Sequence, residues 1–203
     1  MSAGPDAPGS GSDDPRQCWN ARYAARGEGP LRAAEVLAAN LHLLPERGRA
    51  LDLACGLGAN AVLLAQHGLE VDAWDVSDQA IEQLNARVRA GRLNAHPLRR
   101  DVTREPPAEQ RYDVVVVSYF LERALMPALG AALRPGGLLF YETWSRLQSS
   151  GRGPKNPEYR LAEGELLALT LDLQPVFYRE EGLLGDTSRG MRDIVQYIGR
   201  RPV

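Results

Sequence analysis

The chain has 203 residues, of which 44% are hydrophobic and 25% charged, and its formal net charge is −2. This composition is typical of a soluble protein with one sizeable domain, and the near-neutral charge excludes a general attraction to nucleic acid or to an anionic membrane. Because its two cysteines are too few for a disulfide framework and its apolar runs too short for a membrane span, we expect a cytoplasmic protein.

The first third of the chain predicts a tail and two helices. Residues 1–15, MSAGPDAPGSGSDDP, hold almost no residue that anchors a core, so we expect a disordered tail followed by a single domain over residues 16–203. A short helix is expected around residues 19–23. Residues 31–44, LRAAEVLAANLHLL, repeat leucine at helical spacing after a proline and predict a longer helix.

From residue 49 the chain alternates between predicted strands and helices. Strands are expected at 49–54, at 69–75, within 94–100 and at 112–118, and Pro97 favours an edge position for the third. Helices are expected at 59–67, ended by Gly68, and at 78–90, between an N-cap at Ser77 and a closing Gly91. Strands that alternate with helices in this way indicate a parallel sheet covered on both faces.

The last third predicts the end of the sheet. Residues 120–133 read as helical, with Pro127 either starting a second helix or kinking the first, and a turn at 135–137 precedes a strand at 138–144. A long loop at 145–160 and a helix near 163–171 follow. Strands at 175–181 and 191–201 have no helix between them and predict an antiparallel hairpin. The fold class is therefore α/β, with a doubly wound, mostly parallel, seven-stranded Rossmann-like sheet.

The turn after the first strand carries two closely spaced glycines. It lies in the stretch LDLACGLGAN at residues 51–60. Glycines at the carboxyl end of a strand let a ligand approach the backbone and free the amides of the next helix, which favours a nucleotide-like cofactor. A glycine-rich strand end that holds no ligand remains an alternative.

One acid stands at or near the end of each of the first three strands. Asp75 follows Asp52 at a spacing typical of the acid that accepts both hydroxyls of a ribose. Asp101 has the position from which a carboxylate accepts the exocyclic amine of an adenine, while the Val102 amide donates to a ring nitrogen. Solvated loop acids are the alternative for each one, but the succession of three favours a nucleoside site.

These stretches, together with YDVVVVS at 112–118 and LRPGGLLFYETW at 133–144, resemble the successive motifs of class I S-adenosylmethionine-dependent methyltransferases. WNARYA at 19–24 and GPKNPEYRLAEGELL at 153–167 are similar to the tellurite-resistance and thiopurine methyltransferase branch. The chain departs from the family pattern at Ala54, where a glycine is usual, and SYFLER at 118–123 matches no signature that defines a substrate.

The resemblance implies that S-adenosylmethionine is the cofactor, and it assigns one part of the cofactor to each group of residues. These groups are a lid with a cation for the carboxylate (Trp19, Arg22, Tyr23), the amino-acid end (Asp52, Ala54, Gly56, Gly58, Asn60), the ribose edge (Asp75, Val76), the adenine (Asp101, Val102) and the methionine arm (Ser118).

Candidates for the acceptor side follow the fourth and fifth strands. Tyr119 would line the methyl channel and Glu122 would orient an amine or accept a proton, although a core aromatic and a helix-start acid explain them equally well. Glu142 and Trp144 end the fifth strand, where Trp144 either walls the pocket or packs under a loop. Arg179 would attract an anionic substrate, but a solvated surface arginine is the commoner reading. Three scattered histidines give no metal-ligand spacing, so no metal is expected.

The function expected from these residues is methyl transfer to a small molecule by direct displacement. A nucleic-acid acceptor is not expected, because the motifs of base-methylating enzymes and a basic face with aromatics are absent from the sequence. An NAD(P)-type oxidoreductase remains an alternative, although Ala61 stands where its third glycine belongs. A non-catalytic cofactor-binding or partner-binding module is the second alternative. The acceptor, a general base and the oligomeric state stay open.

Overall fold

The structure is a computed structural model that describes residues 14–25 and 31–203. Its strands are β1 (Arg49–Leu53), β2 (Glu70–Asp75), β3 (Ala95–Arg99), β4 (Tyr112–Ser118), β5 (Leu133–Trp144), β6 (Gln174–Arg179) and β7 (Ile194–Arg200). Its α-helices are α1 (Pro15–Ala25), α2 (Glu35–Ala38), α3 (Ala59–His67), α4 (Asp78–Gly91), α5 (Met126–Ala132) and α6 (Glu165–Leu169).

Within the described residues, the strands form one seven-stranded sheet in the order β3-β2-β1-β4-β5-β7-β6. Strands β1 to β5 are parallel to one another, and β7 runs antiparallel between β5 and β6. The predicted mixed sheet with its antiparallel hairpin is confirmed, as is the edge position of β3. The carboxyl ends of β1 to β5 therefore lie along one edge of the sheet, which we call the carboxyl edge.

Apolar side chains cover both faces of the sheet, because successive residues of a strand point to opposite sides. On one face, Leu51 and Val115 belong to a buried cluster that includes residues of α5 and α6. On the other face, Ala50 and Val114 belong to a cluster that includes residues of α2, α3 and α4. The expectation of helices on both faces is confirmed.

The helix predicted at 31–44 is wrong in length. Helix α2 covers only Glu35–Ala38, and a single 3₁₀ turn follows at Leu41–Leu43. Ala34 is extended, and its amide donates to the side chain of Asn60 instead of beginning a longer helix. The leucines do recur at helical spacing, but hydrogen bonds to distant side chains prevent the longer helix.

The end of α4 also differs from the prediction. Gly91 was expected to close this helix in a left-handed conformation, but α4 includes Gly91, and Arg92 is the left-handed residue, with φ 48°. A Cβ at Gly91 would lie 3.1 Å from Cγ of Leu93. The glycine therefore leaves room for Leu93 and does not supply the turn. The other cap, Ser77, is confirmed, since its hydroxyl accepts a hydrogen bond from the Ala80 amide.

The region predicted as helix 120–133 contains a turn and a shorter helix. Tyr119 has φ 55°, and a 3₁₀ turn at Arg123–Leu125 precedes α5, in which Pro127 lies in the first turn. Pro127 thus starts a second helix and does not kink a longer one. Strand β5 begins at Leu133 rather than 138, and the predicted turn at 135–137 is an irregularity in its pairing with β4.

The predicted tail at 1–15 lies outside the described residues except for its last two positions, and Pro15 already begins α1. The single domain over 16–203 stays a prediction. Among the helices that the structure describes, none is both long and apolar enough to cross a membrane.

A candidate cofactor and acceptor site at the carboxyl edge of the sheet

The turn between β1 and α3 has a left-handed backbone at three positions. Ala54, Gly56 and Gly58 have φ values of 55°, 52° and 80°. A left-handed conformation costs about 1–2 kcal/mol for a residue with a Cβ, which explains why glycine is usual at the position of Ala54. A Cβ at Gly58 would lie 2.2 Å from Cδ1 of Leu84. The turn therefore needs its glycines for conformation and for packing against α4.

Asp52 is buried beneath this turn and fixes the start of α3. Its carboxylate accepts hydrogen bonds from the Ala61 amide at 2.9 Å and from Nδ2 of Asn60 at 3.3 Å. Asn60 also donates to the Ser118 hydroxyl at 3.0 Å and accepts from the Ala34 amide at 2.8 Å. These hydrogen bonds link the ends of β1 and β4, so the structure brings Asp52, Asn60 and Ser118 together as the sequence predicted.

Burial raises the pKa of Asp52 to about 7. Loss of solvent outweighs the hydrogen bonds with Asn60 and Ala61, which lower the pKa, and the nearby charge of Asp75 adds to the increase. Asp52 is also fully buried, so its contacts are those of a residue that shapes the turn.

Asp75 at the end of β2 holds the same turn from the other side. Its Oδ2 accepts from the Gly56 amide at 2.8 Å and its Oδ1 from the Ser77 amide at 2.9 Å. Burial also raises the pKa of Asp75. Each carboxylate oxygen has further acceptor capacity, so these bonds do not exclude a ribose diol. Neighbouring Val76 is half-buried.

Asp101 is the most accessible of the three strand-end acids. It follows β3, and its Oδ1 accepts hydrogen bonds from the amide and the hydroxyl of Thr103 at 3.1 and 2.6 Å. An ion pair joins its other oxygen to Arg104 at 3.5 Å. Val102 is buried in the core beside it. Asp101 thus stays partly exposed at the carboxyl edge, as a contact to an adenine amine requires.

Helix α1 lies over the glycine turn. The hydroxyl oxygen of Tyr23 is 2.7 Å from the position that a Cβ of Gly56 would take. Trp19 stacks on Tyr23 with ring centroids 5.7 Å apart, and the Arg22 guanidinium lies 4.9 Å from the centre of the Trp19 ring. Nη1 of Arg22 is buried without a hydrogen-bond partner in the described part of the chain. The predicted lid residues thus come together, and Arg22 keeps a donor that a carboxylate ligand would satisfy.

Polar contacts fix α1 to the start of α4. Oδ1 of Asn20 accepts from the Ser77 hydroxyl at 2.6 Å, and Nε of Arg16 donates to Asp78 at 2.6 Å. Ser77 itself donates its amide to Asp75. Ser77 therefore connects Asn20 of α1 to Asp75, the acid predicted to bind the ribose.

The acceptor side contains a buried acid beside an exposed aromatic ring. Tyr119 follows β4 directly and is 40% exposed, and its ring centroid is 5.3 Å from that of Trp144. Glu142 is 1% exposed, and its Oε2 accepts from the Val36 amide at 2.9 Å and from Nε2 of Gln196 at 2.8 Å. Burial and the negative charge of Glu142 raise the pKa of Tyr119 above its ordinary value. The phenol therefore stays protonated and is no general base at neutral pH.

The remaining acceptor candidates have structural partners. Trp144 is 6% exposed and packs under the 145–160 loop, where a Cβ at Gly153 would lie 2.5 Å from its ring. The Glu122 carboxylate accepts from the Ala124 amide at 3.2 Å and caps the 3₁₀ turn. Arg179 lies at the end of β6 and forms an ion pair with Glu181. The observed contacts are those of a packed tryptophan at Trp144 and of a turn-capping acid at Glu122. The roles of Trp144, Glu122 and Arg179 toward a substrate stay predictions.

Three residues near the site were missed by the sequence reasoning. Asn20 fixes the lid, Gln196 holds Glu142, and Arg160 donates to carbonyls of the 145–160 loop, namely those of Ser145 and Pro154 at 2.8 and 2.6 Å. A signal existed for Gln196, since a polar residue interrupts the apolar run IVQYI. Among the described residues, no group of three or more His, Cys, Asp or Glu is placed to hold a metal ion.

Comparison with known proteins shows a similarity in the central part of the chain. Residues 50–137 match a family model described as a methyltransferase domain. A ubiquinone biosynthesis O-methyltransferase of Coxiella burnetii is 30% identical over 101 residues, which cover 47% of this chain and 43% of that protein. A ribosomal RNA small subunit methyltransferase C of Alcanivorax borkumensis is 28% identical over 109 residues, covering 49% and 33% respectively. The chain thus spans less than half the length of these curated relatives.

A solved structure extends the likeness to most of the fold. TehB from Haemophilus influenzae superposes with a TM-score of 0.69 and 22% identity, covering 90% of this chain and 67% of that one. The match includes the hairpin region, since 90% coverage reaches beyond the family model. Residues 50–137 are therefore similar to a methyltransferase domain, and the chain has the Rossmann-like fold of solved S-adenosylmethionine-dependent methyltransferases.

Proposed function

We propose that this protein binds S-adenosylmethionine at the carboxyl edge of its sheet and transfers the methyl group to a small molecule. The observation that carries this proposal is the left-handed turn at residues 54–58, which is held between two buried acids, Asp52 and Asp75. Such a turn presents backbone to a ligand, and the partly exposed Asp101 lies beyond it for an adenine. The buried, unpaired Nη1 of Arg22 matches the carboxylate of the methionine end.

When bound, the cofactor supplies a methyl group on a positively charged sulfur, which makes direct displacement possible. The protein's part is to align the acceptor and to keep water out. Trp19 and Tyr23 would cover the cofactor, and Ser118 would lie under its methionine arm. Tyr119 would line the methyl channel as a neutral phenol, because burial and Glu142 keep it protonated.

The small-molecule acceptor is supported by the charge of the chain. The net charge is −2, and the acceptor-side candidate Arg179 is neutralised by Glu181. Curated relatives include both an enzyme of ubiquinone biosynthesis and one that acts on ribosomal RNA. We favour the small molecule because a polyanionic acceptor calls for a basic, aromatic-rich surface that the sequence lacks. The two cysteines, both free, suit the reducing cytoplasm that we propose as the compartment.

The oxidoreductase alternative gains no support from the fold, since β7 is antiparallel whereas a dinucleotide-binding dehydrogenase sheet is parallel. Isothermal titration calorimetry separates the two functions. We expect micromolar binding of S-adenosylhomocysteine and none of NADH, and the reverse result would overturn the proposal.

A coupled assay for S-adenosylhomocysteine release tests the transfer itself. We expect release with at least one member of a panel of thiols, phenols, amines and tellurite, and none with ribosomal RNA. Release with RNA alone would refute the small-molecule acceptor. Cofactor binding without release from either class would favour the non-catalytic alternative.

A further inference from the structure

We infer that the sheet face at β2 and β3 carries a second small-molecule site, which binds a planar aromatic carboxylate through Arg100. The site is a cleft of about 460 Å³, a volume within the range of pockets that hold small ligands. None of the residues assigned above to the cofactor or the acceptor lines this cleft. The inference therefore goes beyond the proposed function and does not depend on it.

The cleft arises from the way in which the chain joins β3 to β4. These two strands lie on either side of β2 and β1, so residues 100–111 run back over the sheet from the carboxyl edge. The structure describes all of these residues, and none of them forms a helix. Such a connection covers the sheet incompletely: Leu98 of β3 stays 50% exposed, while Pro106 and Ala108 form the outer wall.

The floor of the cleft is flat and largely apolar. Trp74 of β2 pairs directly with Leu98 of β3, and paired residues point to the same face of a sheet. The Trp74 ring is fixed by an edge contact with Tyr112, with centroids 6.2 Å apart. The Arg100 guanidinium lies 4.2 Å from the centre of the same ring. The floor therefore suits a planar ring, and it holds a cation in place beside that ring.

Arg100 keeps a donor for a ligand. Its Nε is buried and forms no hydrogen bond within the part of the chain that the structure describes. Its ion-pair partner, Glu105, is 3.4 Å away, but the Glu105 side chain is 66% exposed, and exposed ion pairs are weak. A ligand carboxylate would accept the unused hydrogen bond, and charge-assisted bonds of arginine to carboxylates are strong.

Arg111 adds positive charge to the same cleft. It lies 3.7 Å from Asp72, but that carboxylate already accepts from Arg49 at 3.1 Å and from the Tyr112 hydroxyl at 2.8 Å. The charge of Asp72 is thus compensated without Arg111. Positive charge above an apolar floor is complementary to an aromatic anion, and it disfavours a cation or a fully polar ligand.

Titration with 2-naphthoate, followed by ¹H–¹⁵N NMR, tests the site. We expect the Trp74 indole N–H and the amides of Leu98 and Ala108 to shift and to saturate with a dissociation constant of about 1 mM or below. The Trp74→Phe variant identifies the indole signal. The uncharged 2-naphthamide should bind at least ten-fold more weakly. Absence of these shifts, or equal binding of the amide, would overturn the inference.

Two arginine variants locate the charge that binds the probe. Arg100→Gln should weaken 2-naphthoate binding at least ten-fold. Arg99→Gln is the matched control, because it removes the same charge one residue away, where Arg99 pairs with Asp78 of α4 and does not line the cleft. Equal losses in the two variants, or unchanged affinity in Arg100→Gln, would refute the site.

Leu98→Glu keeps the test decisive if Arg100→Gln fails to fold. Leu98 is half exposed, so the substitution leaves the core intact, and a carboxylate on the floor should repel the probe. We expect 2-naphthoate binding to fall at least ten-fold in this variant. Unchanged affinity in folded Leu98→Glu would overturn the inference.

The same titration with saturating S-adenosylhomocysteine separates this site from the proposed function. We expect an unchanged affinity for 2-naphthoate, because the cleft shares no residue with the candidate cofactor site. Displacement of the probe by S-adenosylhomocysteine would place it in the cofactor site and refute the second site. A protein that binds 2-naphthoate but no S-adenosylhomocysteine refutes the proposed function and leaves the cleft as inferred.

Discussion

The three acids at the strand ends have different environments and therefore different tasks. Asp52 is fully buried and Asp75 nearly so, and backbone amides occupy both of them, whereas the Asp101 side chain is 38% exposed. An acid that already serves two amides stabilises the turn first and contacts a ligand second. Binding and stability are thus coupled at Asp75, and at Asp52 stability dominates.

Replacing Asp75 with asparagine should weaken cofactor binding. The carboxamide keeps the shape of the side chain but loses the charge, and a hydrogen bond to a charged group contributes about 1.5–3 kcal/mol. We expect the dissociation constant of S-adenosylhomocysteine to rise about ten- to hundred-fold in calorimetry. Asp113→Asn is the control, because Asp113 accepts from Arg49 and Arg134 outside the candidate site. Unchanged affinity in Asp75→Asn would refute the ribose contact.

Asp52 should make stability depend on pH in an unusual direction. Its pKa rises from 3.8 to about 7 on folding, so the folded state binds more protons between these values. Stability is then present in acid and is lost as the pH rises from about 4 to 7, by at most about 4 kcal/mol. The free energy of unfolding in urea should be measured for the parent and for Asp52→Asn across this pH range. The difference between the two isolates the contribution of Asp52, since all other groups titrate in both proteins. Parallel curves would contradict the raised pKa.

Residues that belong to the glycine turn and the strand ends could be predicted from the sequence because local spacing fixes them. Asn60 and Ser118 were named only by the resemblance to known methyltransferases, and the structure joins them by a hydrogen bond. Gln196 could not be predicted in the same way, since its role depends on which strand lies beside β5. Arg160 likewise acts through loop carbonyls that only the folded chain brings near it.

Helices and strands could be predicted with correct bounds where residues next to their ends determine those ends. The bounds of α3 and β4 are as predicted, because glycines or turn residues delimit them. The helices expected at 31–44 and 120–133 are wrong because distant groups decide their ends. The first is cut short where Asn60 and Glu142 accept the amides of Ala34 and Val36.

Alanine substitutions at Gly58 and at Gly185 should have different effects on stability. Gly58 and Gly185 both have a left-handed φ, at 80° and 64°, so alanine strains either backbone by about 1–2 kcal/mol. A Cβ at Gly58 also meets Leu84 at 2.2 Å, whereas nothing lies within 4 Å at Gly185. We expect Gly58→Ala to lower the melting temperature more and to abolish S-adenosylhomocysteine binding. Equal melting shifts would mean that Leu84 moves aside freely.

In the molecule as a whole, the predicted site residues lie at one edge of the sheet, and α1 packs over that edge. Helix α1 buries none of its residues fully and is fixed by the polar contacts of Asn20 and Arg16 with the start of α4. The core clusters contain no residue of α1. We therefore expect α1 to contribute more to cofactor binding than to stability.

Two truncations test this division of the chain. Removing residues 1–13 should change neither the melting temperature nor the affinity for S-adenosylhomocysteine, because that stretch offers almost no apolar side chain to a core. Removing residues 1–25 also removes Trp19, Arg22 and Tyr23. The protein should then still unfold in one cooperative transition, but its affinity should fall at least ten-fold, through loss of ring contacts and of the Arg22 charge. Loss of cooperative unfolding in the second truncation would show that α1 belongs to the core, and unchanged affinity would show that it is no lid.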